Sequence, residues 1–107
     1  MPEEMLPLAC DLTALPVGGR KRLKELSEEL VRSAEIRELP DGYVLDFAEA
    51  STKRFEEIAE FIALDRLCCP FIRHGLIHEP NEGGVWLHLT GAGGVKGIIK
   101  SEVLGTV

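Results

Sequence analysis

The hexapeptide RLCCPF, residues 66 to 71, sets two adjacent thiols, Cys68 and Cys69, between an arginine and a proline. Consecutive α-carbons across a trans peptide lie about 3.8 Å apart, whereas disulfides favour roughly 4.4 to 6.8 Å, so a Cys68–Cys69 bond is expected to be strained and easily reduced. A mixed disulfide, or shared ligation of a soft metal or metalloid ion, suits the pair better, because thiolates prefer soft ions. Zinc ligand pairs typically have two to four intervening residues, so an adjacent pair is a poor zinc knuckle. Cys10 is the one further thiol in the chain, and it completes a three-thiol site if the amino-terminal segment returns beside the end of a helix carrying the pair.

Other chemistry is weaker on spacing alone. No CxxC occurs, so a thioredoxin-like resolving pair is missing. A helix carboxyl terminus opposes a thiolate by about 0.3 to 1 kcal/mol, a term that nearby Arg66, Arg73 and His74 can offset. The competing reading is packing, since unpaired cysteine is among the most buried residue types and behaves as a small hydrophobe. In that reading Cys69 lies on the apolar stripe with Ile58 and Ile62, and Cys68 lies at its edge beside Phe61.

A second candidate group is aromatic. His74 and His78 stand four positions apart, with Leu76 between them, and so share one side of a strand. If Val85 pairs with Glu79, Trp86 faces His78 and His88 faces Leu76. All three histidines and the only tryptophan would then form one sheet face, a zinc site, a ligand platform or a homodimer interface. A slip of one residue would dissolve that face. TGAGGVKG, residues 90 to 97, matches neither G-x-G-x-x-G nor the Walker spacing. Glu56, Glu57 and Glu60 read as the solvated side of a helix, and no Ser-His-Asp or Cys-His set can be assembled. A binding protein is expected in preference to an enzyme.

The elements that must position these residues follow from periodicity. Leu23, Leu26, Leu30, Val31 and Ala34 recur at three- and four-residue spacing, predicting a helix from about Gly19 to Glu35. Residues 36 to 47 switch to a period of two, with Asp41-Gly42 as the predicted hairpin loop. That loop places Leu39 opposite Val44, Arg37 opposite Asp46 and Ile36 opposite Phe47, with Ile36, Tyr43, Leu45 and Phe47 toward the core. A second helix is predicted over 52–68, capped by Ser51 or Thr52 and ended by Pro70, with Phe55, Ile58, Ala59, Ile62 and Cys69 on its inner face. A second hairpin turns at about Asn81 to Gly84, and a short helix runs from about Gly94 to Leu104. Leu6, Leu8 and Cys10 alternate as a short amino-terminal strand or extended arm.

The order helix, hairpin, helix, hairpin, helix forms one domain over residues 1–107, in two similar helix–hairpin units of about 19–47 and 52–90. The predicted fold is α+β, a two-layer sandwich of one antiparallel sheet with helices on one face.

Composition narrows the function classes. The 107-residue chain is 45% hydrophobic and 28% charged, within the range of an ordinary globular domain. Its net charge of −6 lacks the basic excess that phosphate tracking requires, which excludes nucleic acid as an expected partner. The basic run Arg20 to Lys24 is followed by Glu25, Glu28 and Glu29 and reads as an exposed helix face. No apolar run approaches the roughly 18 to 20 residues of a membrane span, and MPEEMLPLAC lacks the order of a signal peptide. The chain is therefore expected in the cytoplasm with mostly reduced thiols, and an odd cysteine count weighs against a structural disulfide.

LACDLTAL, ELPDGYVLDF, AEFIALDRLCCPF and VWLHLTGAGGVKGII together resemble a family of small bacterial proteins without an assigned activity, whose pattern runs CDL, ELPDGY, RxCCPF and LTGxxGVK. The similarity spans roughly Leu8 to Lys100. That family is associated with heavy-metal resistance contexts, so the resemblance implies metal or metalloid handling and maps it onto Cys10, Cys68 and Cys69. His74, His78 and His88 lie outside its pattern.

Overall fold

The computed structural model describes residues 9–49, 51–81 and 83–105. A 3-10 turn at Leu12–Ala14 precedes α1 (Gly19–Ser33), β1 (Glu35–Leu39), β2 (Gly42–Phe47), α2 (Thr52–Cys68), β3 (Arg73–His78) and β4 (Val85–Thr90). The last helix, α3 (Val95–Ile98), runs on as a π-helical turn over Ile99–Val103. The α+β prediction is borne out, with one four-stranded antiparallel sheet ordered β1-β2-β4-β3. The two hairpins therefore meet through their second strands. The expected amino-terminal strand falls largely on residues outside those described, and Cys10 itself is not in a strand.

Burial follows the predicted stripes on α1, where Leu23, Leu26 and Leu30 enter the core. They pack with Ile58 and Phe61 of α2 and with Ile99 and Val103 of the last helix against Leu45, Phe47, Val85, Leu87 and Leu89 of the sheet. Ser51 caps α2, its hydroxyl accepting from the Arg54 N–H at 3.1 Å, as expected for a side chain satisfying a free first-turn amide. The buried stripe of α2 is rotated from the predicted one. It runs Ile58, Phe61, Asp65, Cys68, while Ala59 is exposed, because the helix turns its Asp65 side, polar as it is, toward the sheet.

The first hairpin is corrected by two residues. Glu38 pairs with Tyr43, Arg37 with Val44 and Ile36 with Leu45, so the loop is Pro40-Asp41 and Gly42 already belongs to β2. Proline's fixed φ suits the first loop position, and Pro-Asp-Gly is itself a turn signature. A two-residue shift preserves the side-chain faces, which is why Ile36 stays on the face of Leu45 and Phe47, now opposite Leu45 instead of Phe47, and Arg37 still reaches Asp46, at 3.0 Å.

Gly42 is required for a different reason than turn geometry. A Cβ there would collide with the Leu89 carbonyl oxygen and the Thr90 Cα of the neighbouring strand. Gly42→Ala should therefore destabilise the fold by about 1–3 kcal/mol through overpacking, read as a lowered urea midpoint. An unchanged midpoint would mean that β2 and β4 do not approach this closely.

Candidate thiol site

The site forms where α2 ends. Cys69 is the cap residue, its N–H donating to the Asp65 carbonyl at 2.8 Å, and Pro70 follows. The last turn of α2 faces the core, so both cysteines are buried at about 1% exposure. Cys10 arrives from the other end of the sequence. Its neighbour Asp11 donates its backbone N–H to the Cys68 carbonyl at 2.8 Å, and the Asp11 carboxylate accepts from the Thr13 N–H to start the 3-10 turn. An otherwise unpaired carbonyl at a helix end thus anchors the amino-terminal segment.

The three Sγ atoms lie within 4.8 Å of one another, so Cys10, Cys68 and Cys69 are brought together as their types suggested. Cys10 and Cys69 are joined as a disulfide across a sequence separation of 59, and Cys68 is the free thiol. The expectation of mostly reduced thiols, with an odd count weighing against a structural disulfide, is corrected here. Proximity imposed by the Asp11 anchor pairs two sulfurs and leaves the third at 3.5 Å from Cys69 Sγ.

Asp65 is the functional neighbour that spacing alone did not single out. It is a carboxylate only 3% exposed, seven residues after Ile58 and four after Phe61 on the same stripe. That position on an apolar face is the sequence signal that could have found it. Its Oδ2 lies 2.7 Å from His74 Nε2 of β3, a hydrogen bond in which the imidazole N–H donates to the carboxylate. Its Oδ1 lies 3.9 Å from Cys68 Sγ, which also points at the Asp65 carbonyl at 3.6 Å. The order is thiol, carboxylate, imidazole. Burial, reinforced by the Asp65 charge, pushes the Cys68 thiol up to about 11. A general-base arrangement would put the imidazole beside the sulfur, so this geometry opposes a nucleophilic Cys68.

The predicted histidine and tryptophan face does not form. Val85 pairs with His78, not Glu79, and Trp86 pairs with Ile77, a one-residue offset that sends the two groups to opposite sides of the sheet. His74 and His78 face the helices. The His74 side chain is buried against Asp65 and stacks edge-on to Phe61, and the His78 ring meets Phe55 edge-on at 5.4 Å. Trp86 and His88 lie on the other side with Val44, their rings 6.2 Å apart, and His88 Nε2 is buried with no hydrogen-bond partner among the described residues. The basic run of α1 is an exposed face as expected, with Arg22 gripping Glu60 of α2 through two bonds of 2.7 and 2.8 Å.

Among the described residues, no helix is long and apolar enough to cross a membrane. No protein-family model, curated protein or solved structure matches this chain.

Because Cys68 is the sole free thiol, its reactivity can be read in the disulfide form. Iodoacetamide should modify it slowly at pH 8, and the rate should rise about tenfold per pH unit toward pH 10 as the thiolate fraction grows. Asp65→Asn removes the repelling charge but leaves the burial, so the thiol should ionise more readily and react faster at a given pH. A rate unchanged by the substitution would show that burial alone holds the proton.

Proposed function

We propose that this chain captures a soft metal or metalloid ion through Cys10, Cys68 and Cys69 in their reduced state. The observation that carries the reading is the convergence of three sulfurs within 4.8 Å, one of them from the far end of the sequence. Metal–sulfur bonds of about 2.3 Å hold the sulfurs of a trigonal or tetrahedral centre roughly 3.7 to 4 Å apart; Cys68 and Cys69, at 3.5 Å, stand near that spacing, and Cys10 and Cys69 must part from their bond to reach it. The resemblance to the heavy-metal-associated family points the same way.

Capture requires the disulfide to open. Two equivalents of a low-molecular-weight thiol, RSH, convert Cys10–S–S–Cys69 to two protein thiols and RSSR, a two-electron reduction. Arsenite then condenses as As(OH)3 with three cysteine thiols to give As(S-Cys)3 and three waters, without change of oxidation state. For a cation such as copper(I), each ligating thiol surrenders its proton, so affinity rises with pH. The bound ion closes the same long loop that the disulfide closes, a cross-link contributing about 4 kcal/mol on a loop-entropy basis.

Native mass spectrometry of the freshly reduced chain, titrated with arsenite, copper(I) and zinc in turn, tests this. One ion per chain is expected for a soft species, with three protons lost or three waters released. Each of Cys10→Ser, Cys68→Ser and Cys69→Ser should weaken binding by at least about tenfold. Reduction should lower Tm and the ion should restore it. Affinity unaffected by Cys68→Ser or Cys69→Ser would end the reading.

One observation favours a second reading, in which the chain forms a homodimer through its helix-free sheet face. Ile77, 41% exposed, stands directly opposite Trp86 there. In sedimentation equilibrium a wild-type dimer should become monomeric in Ile77→Glu and Trp86→Ala. A wild-type chain that is already monomeric would remove it.

A further inference from the structure

Cys10, Cys68 and Cys69 all line a cavity of about 360 Å³, far more space than an ion held among its own ligands occupies. An apolar cavity of about 150 Å³ already accepts a benzene-sized ring. Leu12, Leu23, Phe61 and Val103 form apolar walls around the cysteines. The charged residues on its border are of both signs, Arg20 and Lys24 against Glu28, Asp65 and Glu102, a balance one carboxylate to the negative that gives an anion no net attraction.

From this juxtaposition we infer that the site takes a thiophilic centre carrying one apolar substituent, of the class of aryl- or alkyl-substituted trivalent arsenicals, with the substituent seated in the cavity. This inference rests on the thiol-site reading and narrows its ligand. Such a centre, R–As(OH)2, condenses with two cysteine thiols to give R–As(S-Cys)2 and two waters. The arsenic–carbon bond stays intact, and no electrons are transferred. Cys68 and Cys69, with their sulfurs 3.5 Å apart, supply the two bonds. The third valence keeps R, and the space beside the sulfurs is where R must go. A bare ion would use the thiols alone and leave the space between Leu12, Leu23, Phe61 and Val103 unfilled. The substituent adds buried apolar area, so affinity should grow with its size until the cavity is filled.

The test uses the full reduced chain and two probes, arsenite and phenylarsine oxide, in calorimetric titrations. Leu23→Phe fills the cavity from its wall. Leu12→Trp fills it from the border, where Leu12 is 36% exposed and a larger side chain does not have to enter the core, so this variant carries the test if Leu23→Phe does not fold. Each folded variant should weaken phenylarsine oxide by about tenfold while keeping arsenite within about twofold of wild type. Equal losses for both probes, or phenylarsine oxide binding that neither variant weakens, overturns the substituent pocket while leaving the thiol site standing. Wild-type protein that binds neither probe removes the thiol-site reading and this inference with it.

Discussion

A carboxylate buried one turn before the end of a helix must be paired, and the pairing of Asp65 organises the site. Its hydrogen bond to His74 ties the carboxyl-terminal half of α2 to the first residues of β3, across the Cys68-Cys69-Pro70 turn that joins them. Removing a buried charge from water costs several kcal/mol unless a partner compensates it, so the rotation of α2 that buries Asp65 is tolerated only with His74 in place. That rotation also turns Cys68 inward. The depth of the thiol goes with this Asp65–His74 hydrogen bond, and its reluctance to ionise follows from that burial first and from the Asp65 charge second.

The second tether acts on backbone. Helix α2 ends with carbonyls that lack intrahelical partners, and the Asp11 N–H takes that of Cys68. Cys10 is brought to the pair by this hydrogen bond as much as by sulfur chemistry. The Cys10–Cys69 disulfide closes one long loop, so its redox state acts on the link between the amino-terminal segment and the end of α2. Asp65 works against a free thiolate at Cys68, which opposes a nucleophile that must ionise on its own.

Strand parity separates what remained aligned from what did not. The first hairpin pairs two residues away from the arrangement expected of an Asp-Gly loop, yet Ile36, Leu45 and Phe47 keep their common face and Arg37 keeps Asp46, because an even shift returns every side chain to its side. The second hairpin differs by one, and the histidine cluster is divided. His74 and His78 join the helices, and Trp86 and His88 stay on the uncovered face with Ile77. The chemistry open to these residues changes accordingly: His74 becomes the hydrogen-bond partner of buried Asp65, and Trp86 stays beside His88 on the opposite sheet face.

Sequence by itself determined the α+β class, the order of elements, the α1 stripe of Leu23, Leu26 and Leu30, the Ser51 cap and the suspicion that Cys10, Cys68 and Cys69 act together. These follow from local periodicity, capping chemistry and residue type, which act over a few neighbours. Tertiary structure alone decided the one-residue register of β3 against β4, the inward turn of Asp65 and the disulfide between Cys10 and Cys69. Register and rotation are settled by how whole faces fit, as at Gly42, where β4 comes too close for any side chain. Proximity of residues 59 positions apart is a property of the folded chain, and no local pattern records which two of three sulfurs will meet.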